Sequence, residues 1–63
     1  MPDYQERARK ELEALDERIV KLENFLLSDA IKKLNAQDGS LLRQQLGTMR
    51  DYSRILTERV KGF

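Results

Sequence analysis

Gln45, Tyr52 and Arg59 recur every seven residues, and they carry an amide, a phenol and a guanidinium. A row of this kind can read a polar edge with the amide, stack a planar ring on the phenol and grip a phosphate or carboxylate with the forked guanidinium. The same spacing also suits an ordinary flank row, in which Tyr52 packs its ring while Gln45 and Arg59 make rim hydrogen bonds that set register. Arg18, Lys21 and Phe25 follow at steps of three and four, which puts two cations and an aromatic ring on one side of a helix. There the plain alternative is a solvated row in which Lys21 pairs with Glu17 one turn back, worth only about 0.3 kcal/mol. Arg18 has Ala14, Leu15, Lys21 and Leu22 as helical neighbours, and Arg59 has Ile55, Leu56, Gly62 and Phe63. Neither finds an acid on its own helix, so water, another chain or a ligand must answer the charge.

Other chemistries find little support. The 63 residues include no His and no Cys, which removes disulfides, the usual zinc sites, thiol or imidazole nucleophile-base pairs and a side chain that titrates near neutral pH. Asp16, Glu17, Asp29 and Asp38 lack the spacing of a calcium loop. We therefore expect no metal, no cofactor and no catalysis. Twelve Lys and Arg against eleven Asp and Glu leave a formal charge of +1, too small for the field of a nonspecific duplex binder. Arg43, Arg50 and Arg54 make a partial basic row, but Asp51 and Glu58 interrupt it and no aromatic residues interleave, so specific DNA or RNA binding is not expected. The longest apolar run, Phe25-Leu26-Leu27, is far too short to cross a membrane, and the start Met-Pro-Asp-Tyr-Gln-Glu has no secretory pattern. A soluble intracellular protein is expected.

The elements that must position these rows are helices. Charged residues make up 37% of the chain, Pro occurs once, at position 2, and all three glycines lie at or beyond position 39, which is helical composition. Ala8, Leu12, Leu15, Ile19, Leu22 and Leu26 alternate steps of four and three and line a narrow apolar seam. Leu42, Leu46, Met49, Ser53, Leu56, Val60 and Phe63 repeat the pattern in the second half. Asp3 with Glu6 has capping-box spacing behind Pro2, so the first helix is predicted over about 3–34, with a kink or short separate turn near Ser28-Asp29. Asn35, Asp38, Gly39 and Ser40 cluster as turn formers, which predicts a loop over about 35–39 and a second helix over about 40–61, capped by Asp38 or Ser40 and ended at Gly62. Gly47 inside that helix costs about 1 kcal/mol relative to Ala, and a close helix approach there is the expected reason. Tyr4 is expected to pack on Ala8, the alternative being an aromatic lid.

The fold class that follows is all-α: one antiparallel helical hairpin, with no repeat or boundary dividing the chain. A chain of this length buries only about 60% of its unfolded surface, and two helices cannot enclose a core. The expected remedy is association of hairpins into a homo-oligomeric helical bundle.

The run Glu13 to Leu34, with Leu15-Asp16-Glu17-Arg18-Ile19, Lys21-Leu22 and Phe25, and the run Leu42 to Phe63, with Gln44-Gln45, Met49, Tyr52-Ser53, Ile55-Leu56 and Glu58-Arg59, resemble a family of very short proteins of tailed phages and prophages known as crAss-like-phage related proteins. The resemblance spans nearly the whole chain and brings no catalytic motif with it. Small helical phage oligomers often act against host defences, and this chain is similar in size and helicity to the sponges that bind cyclic nucleotide immune messengers. The resemblance thus implies an anti-defence role in the host cytoplasm, with a cyclic nucleotide held in inter-subunit pockets by Arg18, Lys21, Phe25, Gln45, Tyr52 and Arg59. The alternative is a structural or protein-binding helical adaptor whose apolar face docks a host or phage protein.

Overall fold

The computed structural model describes residues 3–63; the expected role of Pro2 in blocking the helix start lies outside the described residues. Two helices, α1 (Asp3–Leu27) and α2 (Ala36–Lys61), run antiparallel and are joined through a 3-10 turn, Asp29–Lys33. No strand occurs among the described residues. The helices are 25 and 26 residues long, and at about 1.5 Å per residue they match as rods. The result is a slender hairpin of 46 × 15 × 14 Å.

The helix boundaries depart from the sequence expectation at the connection. The first helix does not run on to residue 34: Ser28 leaves helical geometry at φ −89°, ψ 165°. Its hydroxyl donates to the Phe25 carbonyl at 2.7 Å and accepts from the Ala30 amide at 3.3 Å, so one side chain closes α1 and opens the 3-10 turn. Leu34 is extended again. The segment 35–39 is not a loop. Asn35 caps α2, accepting from the Asp38 amide at 2.8 Å, and Asp38, Gly39 and Ser40 already belong to the helix. The same short polar residues serve turns and helix starts, and Asp38 in the first turn also meets the positive end of the helix dipole. Gly39 is buried where the connection crosses the helix: a Cβ there would lie 3.3 Å from Arg43 Nη1 and 3.9 Å from Ile31 Cδ1.

The two seams face each other. Ala8, Leu15, Leu46 and Leu56 are buried, Leu56 completely, and every other seam position, from Leu12 to Phe63, is half-buried. Gly47 has nothing within 4 Å of the place its Cβ would take, so the expected close approach does not occur within the hairpin. Tyr4 lies edge-on against Phe63, at 5.8 Å between ring centroids, because antiparallel pairing brings the two ends of the hairpin together.

Candidate functional site

Side-chain contacts across the hairpin include aromatic, polar and ionic ones. Tyr4 meets Phe63, and the Arg9 guanidinium lies 5.5 Å over the same Phe63 ring. The Tyr52 hydroxyl donates to Glu11, the Ser53 hydroxyl donates to Asp16 at 2.6 Å, and Arg50 pairs with Glu23. In all three polar links α1 supplies the carboxylate and α2 the donor. These contacts also fix the level of the helices along the rod.

That register shows where the candidate residues lie. Tyr4, Glu11, Arg18 and Phe25 recur every seven residues on α1, as Gln45, Tyr52 and Arg59 do on α2. A repeat of seven keeps each row close to one side of its helix, and the Tyr52–Glu11 bond places the two rows on the same side of the hairpin. The Arg59 charge is also felt at Tyr52. The fold therefore gathers Arg18, Phe25, Gln45, Tyr52 and Arg59 along one open face, with Lys21 on its outer edge.

The electrostatics of this face are uneven. Arg18 and Lys21 have no ion-pair partner among the described residues; the one-turn Lys21–Glu17 pair does not form. Tyr52 has its pKa raised above 10.0, first because its phenol proton is held by the Glu11 carboxylate, then through desolvation and the Glu11 charge, with the Arg59 guanidinium pulling the other way. Gln45 Nε2 donates weakly to Met49 Sδ at 3.7 Å. Phe25 is half-buried, whereas Arg18, Lys21, Gln45, Tyr52 and Arg59 are exposed.

Glu11 is the member that the sequence reading missed. Its signal is the seven-residue spacing to Arg18 and Phe25, hidden because an acid at a helix flank looks like any solvated residue. Beside the Gln45 row lies a second exposed row, Leu41, Thr48 and Ile55; with Gln45, Tyr52 and Arg59 it makes another four-three stripe next to the buried seam. Leu41 and Ile55 are 53% and 47% exposed. Surface grooves lie off this stripe, among them one over α1 beside Glu13, Asp16, Val20 and Lys21 and one between the helices beside Leu26, Leu46 and Arg50. Among the described residues, no cluster of three or more His, Cys, Asp or Glu is placed to hold a metal ion. No described helix is long and apolar enough to cross a membrane.

Fold and face together define a class: a short antiparallel helical hairpin that displays cations and aromatic rings along one open side. The chain belongs to the Sequestin family, whose family model matches residues 2–61. The match is to a sequestering family and says nothing of a phage origin. No curated protein and no solved structure matches the chain.

Proposed function

We propose that this chain sequesters a cyclic nucleotide signal, without catalysis, in pockets closed between copies of itself. The observation that carries the reading is the mismatch on the open face between apolar and charged character. Leu41, Ile55 and the Tyr52 ring favour burial against another surface, and a second copy is the self-complementary choice. Yet Arg18, Lys21 and Arg59 would then approach their own counterparts, with Glu11 and Asp38 as the acids on the same rows, and like charges brought together oppose closure. A polyanion with planar rings resolves both demands: phosphates meet the guanidiniums and bases stack on Tyr52 and Phe25. The family description, Sequestin, supports a sequestering role. On this reading the protein is phage-encoded, acts in the cytoplasm of the infected host and blunts a defence signal by holding it.

Calorimetric titration with a panel of cyclic di- and trinucleotides tests this reading. At least one is expected to bind tighter than about 1 mM, and Arg18→Ala or Arg59→Ala to weaken it about tenfold or more. Absence of binding across the panel would overturn it. The rival adaptor reading draws on the same exposed Leu41 and Ile55; a helical protein held stoichiometrically, released by Ile55→Ser and indifferent to Arg59→Ala, would favour that reading instead.

A further inference from the structure

The side of the hairpin opposite the Arg18–Tyr52 face has a different character. On α1, Glu13, Asp16 and Glu17 lie around the exposed Val20, with Lys21 the one cation beside them, and Leu27 continues the row seven residues on, 86% exposed. On α2, the same side carries Arg43, Arg50 and Arg54 at intervals of seven and four. Glu13, Arg43 and Arg54 have no ion-pair partner among the described residues. Gly47 sits within the basic row, and its Cβ position is open space. One helix edge is therefore acidic and apolar, the adjacent one basic and notched.

We infer that this face is a self-association surface on which α1 of one copy lies along α2 of a second copy. Two hairpins can meet face to face about a twofold axis in two ways. An axis across the rods stacks α1 on α1, acids upon acids and cations upon cations. An axis along the rods stacks α1 on the partner's α2, antiparallel, and sets each acidic edge against a basic one. The Ser53–Asp16 bond gives the level: Arg54 is one residue beyond Ser53, so it stands opposite the partner's Asp16. The Arg50–Glu23 pair likewise sets Gly47 between the levels of the partner's Val20 and Leu27. A residue without a side chain at that point lets two helices come close and covers both exposed aliphatic groups. This also supplies the close approach that the helix-weakening Gly47 lacks inside one chain. The inference does not rest on the nucleotide reading, and it leaves the Arg18–Tyr52 face open.

Sedimentation of the ligand-free full chain over a range of concentrations, with circular dichroism at each, tests the surface. The wild-type chain is expected to associate, less strongly as salt rises. Arg54→Asp and Asp16→Arg should each raise the dissociation constant about tenfold or more, and the double variant should return to within about threefold of wild type, because the charge pair is restored in reverse. Asp16→Arg also loses the bond from Ser53, so Glu13→Arg, which disturbs no contact within the chain, serves as the second variant and should weaken association too. Gly47→Phe should keep the helix and block association. A wild-type chain that stays single throughout, single variants that associate like wild type, or a double variant as dissociated as its parents would overturn the surface.

Discussion

Tyr52 and Glu11 show how one polar contact can organise a face. The phenol donates to the carboxylate across the hairpin, which ties the Tyr52 row of α2 to the Glu11 row of α1. The same bond raises the phenol's pKa, because ionisation would break it and set two negative charges side by side. The folded-state value lies above the unfolded 10.0, so the stabilisation is complete below pH 10 and is lost as pH climbs through the raised value. Tyrosinate absorbance compared between wild type and Tyr52→Phe should assign to Tyr52 a step above 10.0; a step at or below it would remove the cross-hairpin bond from the account. Both heptad rows are legible in the sequence, but their partnership is not. Glu11 reads as a solvated acid until the antiparallel register puts it beside Tyr52.

At the scale of the elements, the seams are the legible part. Strict four-three alternation allows one facing side on each helix, and every seam position is buried or half-buried. The connection resists reading, because Asn35, Asp38, Gly39 and Ser40 have turn chemistry and first-turn chemistry in equal measure; the Asn35–Asp38 cap decides between them. Removing that cap by Asn35→Ala should lower stability by about 1 kcal/mol, measured by urea unfolding. Leu56 is the one side chain sealed completely, so Leu56→Ala should cost about 2 to 5 kcal/mol. Glu13→Ala, on the exposed side of α1, should change folding of the single hairpin by under about 0.5 kcal/mol. Equal losses at Leu56 and Glu13 would contradict the packing of α1 on α2.

The whole molecule is a rod with two unlike long sides and a core that is mostly half covered. Four buried aliphatic side chains are few to offset the conformational entropy of ordering 25 and 26 helical residues. On the proposed reading, further copies supply the missing burial and enclose the cationic face. No single-chain sequence pattern states which side meets which; that follows only once acids, cations and Gly47 are placed around the rod.

Sedimentation of the full chain with an absorbing cyclic nucleotide at several protein concentrations tests the central claim most directly, because it follows ligand and assembly together. The nucleotide should travel with an assembly heavier than one chain, at fewer than one nucleotide per chain, and should be left behind when Arg18 and Arg59 are both replaced by Ala. A folded single chain that sediments alone, with every nucleotide tested remaining in the supernatant, would contradict it.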